Sequence, residues 1–486
     1  MKLILSAVLL AALMISGCQD GEPSAPVLEI GYQKQLFIDD FVVSSTRGVS
    51  RVLHPIQRYS GNPVIVGAAP GERWSVSPNG RAVLFDEETE QFKMWYMTSQ
   101  IDPKAHAGIQ YKVSYAVSED GYQWTKPNLG LVQWEGSREN NMLPWGTTWM
   151  RRANVIKDPR DPDASRRFKM TYVDIFDGKS AVTKAYSADG IYWLLNGDGN
   201  PWFRKPHNGN LLGWDPRVEK FIFYVRMPGS PNSVGRATSP DLEIWSDAET
   251  ILAPDPDESQ RHFKGLASFL YEGVYLGWLW VFEKSGDEWV RADSELAFSR
   301  DGIQWSRPFP GGFILSKGEP GSWDSELSIP VAPVVYDGKL WTYYWGENIP
   351  CGAESLKKIQ EGWIEEGERK QRATGLAQLR LDGFVSLTTS TKDATVTTRT
   401  LVPVEGRLTV NANTRGQLRV EILDRKGDPI PGFGAMDCDP VMTDSLAHVI
   451  SWKGQTSLSQ LQGRKIQIRF HLRDTDLYAF QFSPPE

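Results

Sequence analysis

The sequence predicts an all-β protein made of a five-bladed β-propeller followed by a C-terminal β-sandwich. A short motif recurs four times at intervals of 69, 52 and 60 residues, which is typical of a propeller or solenoid. Short alternating apolar runs precede each copy, as in antiparallel strands. Helical periodicity is nearly absent outside residues 353–364. These three observations favour repeated sheets over a helical or mixed fold.

The repeated motif has the form S-x-D-[G/L]-x-x-W. Asp followed by Gly between β-rich runs favours a tight turn, in which the Asp accepts from backbone amides and the Gly takes a positive φ. The Trp is expected to pack under the next strand. A degenerate fifth copy begins at Leu381. The complete copies are residues 118–124, 187–193, 239–245 and 299–305.

The strand-like runs around each motif predict a four-stranded antiparallel meander. Five meanders between residues 73 and 381 suit a ring that hides its sheet edges. The run at 36–43 is expected to close this ring or to line the rim of its cavity. From residue 384 a Thr/Val-rich alternation predicts a separate β-sandwich. The predicted domains are a signal peptide at 1–17, a tether at 18–35, the propeller at 36–383 and the sandwich at 384–486.

The N-terminus predicts export from a bacterial cell. An apolar run at 3–15 follows Met1 and Lys2 and is too short to span a membrane as a mature helix. Residues 15–18 resemble a bacterial lipobox, which implies that Cys18 carries a lipid. We therefore expect a lipid-anchored protein of the cell envelope, at the outer membrane or facing the periplasm. A soluble secreted protein with an incidental Cys18 is the alternative.

Composition excludes several classes of function. The 486 residues carry 53 basic and 60 acidic side chains and no basic tract, which argues against a nucleic-acid partner. The sequence contains no serine-hydrolase elbow, zinc-protease motif or phosphate-binding glycine loop. Three cysteines do not form a disulfide framework. We expect a carbohydrate partner and a monomer; no metal site is predicted, and the cofactor stays open.

The motifs resemble those of five-bladed propellers of the invertase and arabinanase type, which are glycoside hydrolases. Several of these end in a C-terminal β-sandwich, and their turns are similar to S-x-D-G-x-x-W. Residues 36–40, 51–55 and 62–65 further resemble secreted bacterial glycosidase-like propeller proteins. The resemblance implies a glycoside hydrolase acting on an oligo- or polysaccharide. A non-catalytic glycan-binding lipoprotein and a phosphorolytic or lyase enzyme are the alternatives.

Glycoside hydrolysis needs two carboxyl groups on opposite sides of one glycosidic bond. In a propeller these come from the innermost strands, so acids near the start of each unit are the candidates. Asp324 and Glu326 share one face by alternation, and we expect Glu326 to be the general acid. Asp40 is expected to be the base or nucleophile, and Glu258 is a further candidate. For each of them, a purely structural role as a solvated or arginine-paired carboxylate is the alternative.

Other side chains are candidates for binding the substrate. Arg151 and Arg152 suit bidentate binding of a sugar carboxylate, sulfate or phosphate, which favours an acidic glycan. Trp145 and Trp149 are expected to stack on sugar rings. His54 is a further candidate, although a histidine without metal-ligand spacing more often has a structural role.

Overall fold

The computed structural model describes residues 26–67, 75–101, 109–144, 150–195, 201, 203–204, 209–348, 372–390 and 392–485. Cys18, Trp145, Trp149 and the helical stretch predicted at 353–364 lie outside the described residues. Within these ranges, no helix is both long and apolar enough to cross a membrane. The described helical segments are single 3-10 turns at Ala164–Arg166, Pro256–Glu258 and Ser459–Leu461.

Four short strands open the described chain. They are β1 (Gln35–Leu36), β2 (Val43–Arg47), β3 (Ser50–Leu53) and β4 (Gln57–Arg58). The first three pair with C-terminal strands, whereas β4 belongs to the propeller. The strands β1 to β3 therefore belong to the C-terminal domain, and the propeller begins at β4.

Five successive sheets follow and form the five blades of the propeller, as predicted. The first blade contains β5 (Ser75–Asp86), β6 (Gln91–Ile101) and β7 (Ile109–Ser118). The second contains β8 (Arg151–Lys157), β9 (Phe168–Phe176), β10 (Lys179–Ser187), β11 (Trp193–Leu195) and β12 (Phe203–Arg204). The third contains β13 (Gly209–Asp215), β14 (Lys220–Met227), β15 (Ser233–Ser239) and β16 (Glu249–Leu252).

The last two blades share a core of large apolar side chains. The fourth contains β17 (Arg261–Tyr271), β18 (Val274–Ser285), β19 (Glu288–Ser299), β20 (Trp305–Ser306) and β21 (Phe313–Leu315). The fifth contains β22 (Leu327–Pro330), β23 (Val334–Tyr336), β24 (Lys339–Glu347) and β25 (Arg372–Arg380), with β4 as its outer strand. Trp278, Trp280 and Tyr344 are fully buried between these two blades.

The predicted turn motif forms the connection between the third strand and the rest of the blade. In the second copy, Asp189 Oδ1 accepts from the amides of Ile191 (2.8 Å) and Tyr192 (2.9 Å). The Trp193 indole donates to the carbonyl of Gly190 at 2.9 Å, and Gly190 has a φ of 81°. The predicted turn chemistry is thus confirmed.

We expect removal of a motif aspartate to destabilise the protein by about 1–2 kcal/mol, similar to loss of a helix N-cap. In the first copy, desolvation raises the pKa of Asp120, but the amides of Gln123 and Tyr122 outweigh it and lower that pKa. The stabilisation is therefore present near neutral pH and is lost as pH falls through the lowered pKa. Urea unfolding of Asp120→Ala at neutral and acidic pH measures it. Glu119→Ala, an exposed neighbour in the same turn, is the control and should be neutral; equal losses in both variants would contradict the prediction.

The degenerate fifth motif marks the place where the chain leaves the propeller. After β25 the chain turns at Asp382 and enters the C-terminal sheet, so blade five receives its outer strand from β4. Ala377 pairs with Arg58, and Gln378 pairs with Gln57. A motif that returns the chain to its own blade is not needed here, because the N-terminal strand fills that place.

The strands that close the ring are not the ones predicted. In the run at 36–43, Leu36 pairs with Ala479 and Val43 pairs with Thr398, both in the C-terminal sheet. The physical reason is burial, since Phe37 and Val42 are fully buried in the core of that domain. The predicted boundary at residue 36 is therefore too early, because the propeller receives chain only from β4 onward.

The C-terminal domain is an eight-stranded sheet that encloses its own core, consistent with the predicted β-sandwich. Besides β1 to β3 it contains β26 (Val385–Thr389), β27 (Ala394–Thr398), β28 (Arg407–Leu423), β29 (Asp444–Val449) and β30 (Gln467–Ser483). The two long strands β28 and β30 pair along their length with register shifts at Asn411/Ala412 and Thr414/Gln417. Asp382 connects the domains by accepting from Tyr271, Lys34 and Asn411.

Candidate functional site

The inner strands of the blades meet around Gly80. The side-chain oxygen of Asn154 accepts from the amides of Arg81 (3.0 Å) and Leu211 (3.2 Å), which joins the first three blades. The carbonyl of Gly80 accepts from the amide of Ala332 in blade five at 2.9 Å. These contacts place the propeller axis at Gly80.

Position 80 requires glycine for two reasons. Its φ is +56°, in the left-handed region that favours glycine. An added Cβ would lie 1.9 Å from Asn154 Oδ1 and 2.7 Å from Asn210 Oδ1. Backbone of blade one therefore approaches side chains of blades two and three closely, and this approach is possible because residue 80 has no side chain.

Four arginines from three blades form a central arginine cluster at this axis: Arg151, Arg152, Arg226 and Arg372. The guanidinium of Arg152 donates to Asn79 Oδ1 at 3.3 Å. Burial lowers the pKa of Arg152 well below its usual range, and the charges of the other three arginines lower it further. Burial and the charge of Arg151 likewise lower the pKa of Arg226. Arg151 and Arg152 begin the inner strand β8. Arg226 lies near the end of β14 and Arg372 begins β25, so the antiparallel strand order brings all four residues to the same end of the ring.

The cluster has few compensating carboxylates. Arg372 forms an ion pair with Glu347, and Arg151 lies over the Tyr111 ring with its guanidinium carbon 5.5 Å from the ring centroid. Within the described part of the chain, neither Arg152 nor Arg226 has a carboxylate within 4.0 Å. Arg152 also has a φ of +56°, an uncommon backbone conformation for a non-glycine residue that is often associated with functional sites. The axis is therefore a positively charged site.

Asn210 adds an unsatisfied amide to this site. Its side chain is 2% exposed, and neither its nitrogen nor its oxygen has a hydrogen-bond partner within the described residues. Leaving such a group buried without a partner costs about 1–3 kcal/mol. A bound polar group at the axis would remove this cost.

Two carboxylates lie at the same end of the ring as the cluster, one near the end of β9 and one just before β22. Asp174 in β9 is 3% exposed, and the neighbouring Val173 pairs with Arg151. By alternation Asp174 shares the face of β9 on which Tyr172 packs against blade one, so Asp174 lies between blades one and two. Glu326 directly precedes the inner strand β22, and its amide donates to the carbonyl of Glu347. Its side chain is 34% exposed and lies 3.3 Å from Lys317 Nζ.

The structure brings together some of the predicted site residues. Arg151 and Arg152 both lie at the axis, and Glu326 lies at the start of the fifth inner strand, next to the carbonyl of Glu347. Their roles in binding and catalysis stay predictions. Trp145 and Trp149 lie outside the described residues.

Asp40, the predicted base or nucleophile, does not lie in the propeller. Its side chain is 69% exposed and pairs with Arg51 of β3 in the C-terminal sheet at 2.6 Å. Since the run at 36–43 belongs to that sheet, alternation along it cannot direct Asp40 to the axis. His54 likewise contacts the C-terminal domain, with Nε2 2.7 Å from the Ser386 hydroxyl.

Asp324 and Glu258 are held by arginines rather than free to act on a substrate. Asp324 is 3% exposed and accepts from Arg58 Nε at 2.9 Å. Glu258 accepts from Arg261 and Arg307, and the hydrogen bond from Arg307 lowers the pKa of Glu258 to about 2. A carboxyl with that pKa stays ionised near neutral pH. Neither geometry suits a general acid, so the structural alternative describes both residues better.

Sequence reasoning missed Asp174, Asn210, Arg226 and Arg372. The propeller pattern points to acids at the first strand of each blade, whereas Asp174 lies on the second strand of blade two. One signal was available, because Asp174 interrupts the otherwise apolar end of the run at 168–176. No group of three or more His, Cys, Asp or Glu in the described ranges could hold a metal ion.

No protein-family model matches the chain, and no curated protein is similar to it in sequence. The chain is a five-bladed β-propeller joined to a C-terminal β-sandwich, and several solved structures are similar to it. One of them comes from work showing that the GH130 family of mannoside phosphorylases contains glycoside hydrolases that target β-1,2-mannosidic linkages in Candida mannan. Its sequence is 14% identical to this chain. Its TM-score is 0.46, and the match covers 68% of this chain and 94% of that chain.

Two further structures are similar to the same extent. A glycosyl hydrolase from Bacteroides ovatus is 12% identical with a TM-score of 0.46, covering 68% of this chain and 94% of that chain. A β-1,2-mannobiose phosphorylase from Listeria innocua is 13% identical with a TM-score of 0.46, covering 67% and 97%. At these identities, neither an activity nor the role of any residue carries over to this chain.

Proposed function

We propose that this chain is a glycoside hydrolase that acts on an oligo- or polysaccharide at the propeller axis. The observation that carries the proposal is the position of Asp174 and Glu326, two carboxylates from different blades at the same end of the ring as the central arginine cluster. Hydrolysis of a glycosidic bond requires one carboxyl group on each side of that bond.

The two carboxylates differ in their access to water, which suggests their roles. Glu326 is partly exposed and would activate a water molecule or attack the sugar. Asp174 is enclosed between blades one and two and would protonate the leaving oxygen. Asp40, Asp324 and Glu258 take no part in this proposal, because each is held by an arginine away from the axis.

The proposed surroundings of the enzyme follow from its N-terminus. Cys18 would carry a lipid and hold the enzyme at the cell envelope, and the predicted tether would end before Leu28, which pairs with Leu401 of the C-terminal domain. Globomycin treatment of expressing cells would test this, since inhibition of lipoprotein processing should cause the unprocessed precursor to accumulate. An unchanged pattern of processing would favour a secreted protein without a lipid.

A panel of purified glycans tests the proposed activity. We expect release of new reducing ends from at least one glycan, and no release by the Asp174→Asn/Glu326→Gln double variant. A panel that contains neutral and anionic members also tests the inference below. Binding to a glycan without any product would favour the non-catalytic alternative.

A further inference from the structure

The central arginine cluster is electrostatically incomplete. Arg372 forms an ion pair with Glu347, whereas Arg152 and Arg226 have no carboxylate within 4.0 Å among the described residues. Buried positive charges are costly unless anions accompany them. The lowered pKa values of Arg152 and Arg226 express the same cost, because burial and neighbouring charges disfavour the protonated forms.

The neutral groups at the axis favour a ligand with both charged and polar parts. The amide of Asn210 lacks partners for its donor and its acceptor. Its oxygen lies 2.7 Å from the position that a Cβ of Gly80 would occupy, so the amide lies beside the backbone of blade one at the axis. An amide in this state suits a sugar hydroxyl, which both donates and accepts. Guanidinium groups suit the paired oxygens of an oxyanion.

We propose that the central arginine cluster binds an oxyanion carried by the glycan, so that the substrate is an anionic saccharide. The group is a carboxylate, a sulfate ester or a phosphate ester, which share the geometry that arginine recognises. This inference rests on the proposed hydrolase, since it names the substrate class of the same site. Free inorganic phosphate has the same chemistry and would instead act as the attacking group in place of water.

Binding to the catalytically disabled Asp174→Asn variant tests the inference without turnover. The probes are uronic-acid, sulfated and phosphorylated oligosaccharides, together with neutral oligosaccharides of equal length. We expect binding of one anionic class, and we expect Arg226→Met to weaken it about ten- to a hundredfold, as for loss of a charged hydrogen bond. Lys220→Met removes the same charge from the exposed opposite end of β14 and should leave binding unchanged.

The stability of the Arg226 variant gives a second readout. Removal of one uncompensated charge should leave the ligand-free protein as stable as the wild type or more stable. A bound anionic oligosaccharide should raise the melting temperature of the wild type but not of Arg226→Met. A structural role of Arg226 predicts the opposite result, a loss of stability without ligand.

Three outcomes would overturn the inference. Neutral and anionic probes could bind equally well, or Arg226→Met could bind the anionic probe like the wild type. Cleavage of a neutral glycan that requires inorganic phosphate and yields a sugar phosphate would show that the anion is not part of the glycan. If the wild type binds an anionic probe but hydrolyses no glycan, the proposed hydrolase is rejected and this inference stands.

Discussion

Replacement of Asp174 by Asn is expected to lower kcat/KM on the natural glycan by about a thousandfold, within the range for loss of a general acid or base. The side chains are nearly identical in size, so the buried position between blades one and two should tolerate the change. Asn cannot transfer a proton to the departing oxygen. The loss should therefore fall mainly on kcat, which steady-state kinetics with the cleaved glycan measures.

An activated substrate separates acid catalysis from binding. An aryl glycoside with a good leaving group needs little protonation, so Asp174→Asn should cleave it at nearly the wild-type rate. Asp177→Asn, an exposed position beyond the end of β9, is the matched control and should behave as wild type on both substrates. Equal losses on the activated and the natural substrate would contradict a role for Asp174 as the acid.

The same pair of substrates tests Glu326. If Glu326 activates water or attacks the sugar, Glu326→Gln should lose activity on both substrates, because neither leaving group replaces that function. Glu319→Gln, an exposed residue of the same loop, serves as its control. The two variants together distinguish the roles proposed for the two carboxylates.

Site residues that are neighbours in the sequence could be predicted from it, whereas residues that only the fold brings together could not. Arg151 and Arg152 are adjacent, so they could be proposed as one candidate binding site from the sequence alone. Arg226 and Arg372 join them because the ring brings the ends of β14 and β25 to the same axis, and no spacing in the chain indicates this. Asp324 and Glu326 show that closeness in the sequence can also mislead. Their spacing predicts a catalytic pair on one face, but Asp324 is bound by an arginine and Glu326 is partly exposed to solvent.

In the fold, too, features set by nearby residues could be predicted, and features set by distant parts of the chain could not. Each S-x-D-[G/L]-x-x-W turn is stabilised by bonds within seven residues, so four blades could be recognised from the sequence. The outer strand of blade five comes from the other end of the chain, and nothing in residues 57–58 indicates its partner. The apolar run at 36–43 looked like the better closing strand, but its side chains are buried in the C-terminal core.

Replacement of Asp324 by Asn is expected to destabilise the protein by about 1–3 kcal/mol, because it removes a buried carboxylate that accepts several hydrogen bonds and pairs with the partly exposed Arg58 at the point where the ring closes. Asp324 accepts from Arg58 of the closing strand, and also from the Tyr344 hydroxyl at 3.0 Å and the Ser322 hydroxyl at 2.8 Å. The neutral Asn can accept fewer of these bonds and leaves the charge of Arg58 without its partner. Urea unfolding followed by tryptophan fluorescence measures the loss.

Asp40→Asn is the matched control, since it makes the same change in a surface ion pair. Exposed pairs contribute about 1 kcal/mol or less, so the control should unfold almost like the wild type. In a double-mutant cycle, Arg58→Met should cost less in the Asp324→Asn background than in the wild type, because the carboxylate that it would otherwise leave unpaired is gone. Activity per folded molecule should be unchanged in Asp324→Asn. A stable Asp324→Asn protein without activity would instead restore Asp324 as a catalytic residue and would weaken the case for Asp174.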